Sequence, residues 1–155
     1  GMTRLEVSSP ADKLSFVHKA LIESIQFPCK IRYLKMTDRQ KGQLPKPESF
    51  VAVDVSKARM MQALDNYHDL FYEDARHQLW ILGAQEEQIV LDELGMIFVY
   101  PDDFLFREAL AQMGWSTQKH EGMDTRDYVK VHFRSVADEQ EEQFFQRFGL
   151  TRWEG

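Results

Sequence analysis

Four strand-like runs follow one another between residues 70 and 100, with no helical pattern between them. Parallel neighbours need a crossover of a dozen or more residues, usually a helix, so runs this close pair antiparallel. The runs are 70–73, 79–82, 89–93 and 96–100. Leu79-Trp80-Ile81-Leu82 and Met96-Ile97-Phe98-Val99-Tyr100 are apolar throughout, which predicts central strands covered on both faces. Gly95 separates the last two runs, either as a hairpin turn or as a bulge in one longer strand. Further along the chain, Cys29, Ile31 and Tyr33 alternate with Lys30 and Arg32, so the two sets belong to opposite faces of a strand. Residues 50–55 form another run, and residues 128–133 read as a half-buried strand.

Four helices are marked by their ends. In Ser9-Pro10-Ala11-Asp12 the serine is placed as N-cap and the proline at the first helical position; Leu14, Val17, Leu21 and Ile25 then recur at helical spacing. The second helix starts at Ser56, ends near Asn66, and turns Ala58, Met61 and either Ala63 or Leu64 inward. Pro101-Asp102-Asp103 opens the third, whose stripe is Phe106, Ala109, Leu110 and Met113, with Gly114 at its stop and Trp115 set to pack back on Leu110. The fourth is capped by Ser135 with Asp138 in its first turn, is lined by Val136, Phe144, Phe145 and Phe148, and ends at Gly149-Leu150.

The resulting order, α-β-β-α-β-β-β-β-α-β-α, specifies an α+β fold: a single mostly antiparallel sheet of about 6–7 strands flanked by about four helices. One globular domain is expected over residues 2–155, with Gly1 reading as an expression-tag remnant. Segments 37–49 and 116–126 carry the Gly and Pro that mark mobile loops.

With 43% hydrophobic residues and 11 Phe among them, the chain has the material for a packed core, which excludes disorder over most of its length. The single cysteine, Cys29, excludes an intrachain disulfide. With no apolar leader and no long apolar run, this predicts a soluble, cytoplasmic protein of bacterial type with no membrane contact.

Charge is unevenly placed. Residues 1–60 carry 11 Lys and Arg against 6 Asp and Glu, whereas residues 61–155 carry 8 against 19. The two parts either attract each other within the fold or present a surface to a partner. The basic part centres on Lys30 and Arg32, continuing through Lys35, Arg39, Lys41 and Lys46. An acidic protein segment, another anion or RNA would suit such a group. The pI near 5.4 and the lack of interleaved exposed aromatics argue against nucleic acid. Trp153, near the C-terminus, is set to fold back on the domain or to anchor in a neighbouring subunit.

The chain contains no glycine-rich phosphate loop, nucleophile elbow or zinc helix motif, and so implies no cofactor. His68, Glu73, Asp74 and His77 are the best metal-like set, because imidazoles and carboxylates suit a divalent ion. Their spacing matches no known ligand pattern, and a dipole-stabilising His68 beside a solvated turn accounts for them more simply. Cys29 with His18 or His132 as base would make a nucleophile pair, but its place on the buried face fits a small hydrophobe better. Asp92-Glu93 precedes a glycine turn and Asp102-Asp103 a helix, so neither pair needs a catalytic role.

The leading expectation is a non-enzymatic protein-interaction or regulatory module, acting on a protein partner or by self-association. The binding residues would be Lys30, Arg32, Lys35, Arg39, Lys41 and Trp153. The alternative is a small metal-dependent enzyme or metal-binding protein using His68, Glu73, Asp74 and His77. A weaker alternative is anion or nucleic-acid binding through the basic strand and loop, residues 30–46.

Overall fold

A computed structural model of the protein describes residues 4–38, 42–101, 104–114 and 135–153. Its strands are β1 (Leu5–Val7), β2 (Cys29–Asp38), β3 (Gly42–Val55), β4 (His77–Leu82), β5 (Gln88–Leu91), β6 (Ile97–Tyr100) and β7 (Thr151–Trp153). Its helices are α1 (Leu14–Ile22), α2 (Lys57–Asn66), α3 (Phe104–Gln112) and α4 (Ser135–Phe148). A 3₁₀ turn (Ala11–Lys13) leads into α1, and a π-helical turn (Asp69–Glu73) follows α2. The strands form one seven-stranded sheet in the order β1-β6-β5-β4-β2-β3-β7, every pair antiparallel. The α+β class and the antiparallel sheet read from the sequence are those of the structure.

Turn chemistry sets the hairpins. Between β5 and β6, Asp92 Oδ1 accepts from Leu94 N at 2.9 Å and Met96 N at 2.8 Å, and Gly95 takes a φ of 87°. Gly95 is therefore a hairpin residue, placed where L side chains are strained. Between β4 and β5, Glu87 folds back over the turn and accepts from Gln85 N at 2.6 Å and Gln26 N at 2.7 Å. A Cβ at Gly83 would stand 2.6 Å from Glu87 Oε1, so the missing side chain leaves room for that carboxylate.

Helix ends follow local rules. Ser56 caps α2 by accepting from Arg59 N at 3.2 Å. At the end of α4, Gly149 has a φ of 59° and Leu150 N donates to Phe145 O at 3.1 Å, as the Gly149-Leu150 stop predicts. Gly114, with a φ of 86°, follows α3; the contact expected of Trp115 lies outside the described residues, as do Asp102-Asp103 and the expected strand at 128–133.

Several expectations are corrected. Residues 70–73 form the π-helical turn, not a strand; Leu70, Phe71 and Tyr72 are all buried, which no alternating strand face would require. The strand expected from residue 50 begins at Gly42, so much of the expected 37–49 loop belongs to a long β2–β3 hairpin. Ser9 does not cap α1; Pro10 precedes the 3₁₀ turn, and the Ser9 hydroxyl lies against Pro10 O at 3.2 Å. In α2, Met60, Ala63 and Leu64 are buried while Ala58 is exposed. In α4, Val136 is exposed and the buried stripe is Ala137, Glu141, Phe144 and Phe148. That stripe keeps steps of four and three residues, and Val136 lies one position outside it.

The core lies between the helices and one face of the sheet. Ile31, Tyr33, Leu79, Ile81, Ile89, Leu91, Ile97 and Val99 supply that face, and each described helix adds buried residues to the same cluster. Strand residues of the other parity point away from it.

Candidate functional site

The second face of the sheet is built by register. Thr151, Val51, Arg32, Trp80, Val90, Phe98 and Glu6 are successive Cα partners, forming one row across all seven strands. Cα partners point to the same side, so the row brings a cation and two large aromatics together on the face away from the helices. Beside it run Trp153–Ser49–Leu34–Gln78 and Lys30–Leu82–Gln88–Tyr100. Trp80, Leu82, Phe98 and Tyr100 are half-buried. Val90, in the same row, is buried, and among the described residues the helices pack on the opposite face.

Arg32 stands at the centre. Its guanidinium carbon lies 5.1 Å from the Trp80 ring centroid and 5.3 Å from that of Trp153. Nε and Nη2 donate to Ser49 Oγ at 3.1 and 3.0 Å, which fixes the plane and turns Nη1 away from that hydroxyl. Cation–ring contacts of this kind are worth about 0.5–2 kcal/mol each, depending on desolvation. Arg4 repeats the arrangement over Phe98 at 4.5 Å, but it also donates to Tyr100 OH at 3.1 Å and pairs with Glu6 at 3.0 Å. Two residues before Arg32, Lys30 is exposed and makes no ion pair among the described residues. Opposite Lys30, β3 bulges at Val53 and Asp54, both exposed, with Asp54 at a φ of 56°. Glu93 accepts from Gln78 Nε2 at 2.6 Å, and Gln78 Oε1 in turn accepts from Trp80 Nε1 at 3.0 Å.

The basic group read from the sequence is thus divided by the pleat. Lys30 and Arg32 share the open face. Lys35 lies an odd number of residues away and faces the helices, with Nζ 3.5 Å from Glu141 Oε1. Arg39 and Lys41 lie outside the described residues, and Lys46 is exposed. Trp153, the distant aromatic, is brought onto Arg32 by the β3–β7 pairing. Trp80 and Ser49 were not singled out as site residues. The signal for both was the parity of their strands, which becomes informative only once the register is known.

Beneath the helices lies a contrasting polar cluster. Tyr33 OH donates to Glu141 Oε2 at 2.5 Å, and the Tyr33 ring stacks on His77 at 4.8 Å with only 13° between planes. Asp74 takes Arg76 through both carboxylate oxygens, and Arg76 reaches on to Asp138 of α4 at 3.1 Å. His18 Nδ1 and Tyr72 OH are in hydrogen-bond contact at 2.7 Å. Burial and the Asp65 carboxylate hold the Tyr72 phenol well above its ordinary value of 10.

The metal-like set does not converge. His68 is exposed, with its ring 5.2 Å from that of Tyr72, and Glu73 is half-buried at the end of the π-helical turn. Asp74 and His77 are fully buried, with Asp74 committed to Arg76 and His77 Nδ1 3.9 Å from Asp74 Oδ1. Among the described residues no three His, Cys, Asp or Glu side chains are gathered to hold a metal ion. Cys29 is buried, and that burial pushes its thiol up to about 12, far from the thiolate a nucleophile needs. His18 contacts Tyr72, and His132 lies outside the described residues. No described helix is long and apolar enough to cross a membrane. Comparison with models of known protein families, with curated proteins and with solved structures gives no match.

Proposed function

We infer that this chain is a non-enzymatic protein-interaction module and that the open face of its sheet is the contact surface. The observation that carries this reading is Arg32 held between Trp80 and Trp153 on the sheet face that the described helices leave uncovered. Trp, Tyr and Arg are the side chains that most often dominate protein interfaces, because they bury large area at small entropic cost and keep a polar edge. The buried polar groups under the helices sit among close-packed aromatic rings and present no comparable surface.

A second reading has a specific observation in its favour. Cations and aromatic rings do alternate on this face, the pattern that single-stranded nucleic acid uses. It ranks second because the inner faces of both indoles are already occupied by the guanidinium, and because the chain carries a net charge of −6.

Affinity capture compares the intact chain with Arg32→Glu and with Phe16→Ser, the latter altering an exposed aromatic of α1 on the helix side. A partner retained by the intact chain and by Phe16→Ser, but lost by Arg32→Glu, is the expected result. Equal capture by all three would remove the open face from consideration.

A further inference from the structure

Resting on that reading of the open face, we propose that it recognises an acidic protein segment in extended conformation, with Arg32 and Lys30 taking carboxylates at alternate positions. The guanidinium of Arg32 is oriented before any ligand arrives: its central carbon lies over the Trp80 and Trp153 rings at 5.1 and 5.3 Å, and Ser49 takes the Nε–Nη2 edge. What remains for a partner is Nη1 and the rim of Nη2, a planar donor edge that matches a carboxylate.

Spacing specifies the form of the ligand. Lys30 and Arg32 are two residues apart on one strand and share its face, so their Cα atoms are separated by roughly 6.5–7 Å. An extended peptide places carboxylates of residues i and i+2 on one side at the same repeat. Among the described residues, nearby anions do not neutralise the pair. Glu6 is held by Arg4, Glu93 by Gln78, and Asp54 makes no ion pair with Lys30 among the described residues. The apolar surface of Val51 and Leu34 beside Arg32 suits aliphatic residues flanking such carboxylates. A polyanion such as nucleic acid would draw on more cations than these two.

The test titrates the full chain with a synthetic peptide carrying Glu at alternate positions and Thr between them, read by calorimetry and tryptophan fluorescence. The expected result is saturable binding that weakens as salt rises and is absent when Lys replaces Glu in the peptide. Arg32→Gln lowers the affinity about tenfold, as expected for a lost charge-assisted contact. Lys30→Gln, at an exposed side chain, lowers it roughly two- to fivefold. Peptide binding that neither variant diminishes overturns the proposal. An oligothymidylate that binds as tightly as the peptide and is lost in Arg32→Gln also overturns it, as does a dimer that Arg32→Gln turns into a monomer; both leave the open face as an interface. If peptide, oligonucleotide and second copy all fail to engage Arg32, the proposal falls, and the capture comparison with Arg32→Glu decides the interaction reading separately.

Discussion

Arg76 and Arg32 lie on opposite sides of one sheet and are held by different physics. Arg76, on the helix side, is buried and tied to two carboxylates, Asp74 through both oxygens and Asp138 from α4. Arg32, on the open side, has no carboxylate partner among the described residues and is held by two indoles and a serine hydroxyl. The first arrangement satisfies a charge so that it can be enclosed. The second orients a charge and leaves part of its donor edge unused. An arginine of the first kind belongs to the stability of the fold; one of the second kind is available to something else.

The contrast predicts effects of very different size. Replacing Asp74 with Asn leaves the Arg76 cation enclosed without its main counter-charge, which should cost about 3–5 kcal/mol of unfolding free energy in urea titration. A loss below about 1 kcal/mol would mean that Arg76 escapes to water and that the two sides are less different than their geometry.

A smaller effect comes from the enclosed Cys29 thiol. Its value is raised in the folded state to about 12 from an ordinary value near 9, so the folded form holds the proton over a window in which the unfolded form releases it. Stability from this group is therefore complete below pH 9 and declines as pH rises toward 12, at up to roughly 1.4 kcal/mol per pH unit. Tyr72, also raised, adds to the decline above pH 10. The urea midpoint of Cys29→Ala should fall less steeply between pH 9 and 10 than that of the intact chain. Parallel profiles would show the thiol to be in contact with water.

The smallest change is expected on the open side. Arg32→Gln gives up two cation–ring contacts and the bond to Ser49 in a half-exposed setting, so thermal unfolding should report a loss of about 1 kcal/mol or less. A loss as large as that of Asp74→Asn would make Arg32 a structural residue and end the distinction.

Legibility in the sequence followed the range of the interactions. Features decided within a few residues were readable: the start of the second helix at Ser56 and the Gly149-Leu150 stop, while Gly95 was legible as a break that local sequence left open between hairpin turn and bulge. Strands β1 and β7 were not, because three residues are too few to show a period. The run 70–73 was misread because an apolar segment fully enclosed by other elements looks the same as a strand or as a helical turn. For the site, Lys30 and Arg32 were legible from alternation, and the same parity places Lys35 on the other side. The clasp itself was not legible, since it depends on β4 and β7 flanking β2 and β3, a pairing fixed only by the whole sheet.

The position of Trp153 has one more consequence. It belongs to an exposed three-residue strand at the sheet's edge, beyond Phe148, the last residue counted in the core. Segments of this kind are where proteases first gain purchase. Cleavage within this strand would release one ring from Arg32 while leaving the buried core cluster in place, so on the proposed reading binding would weaken without unfolding.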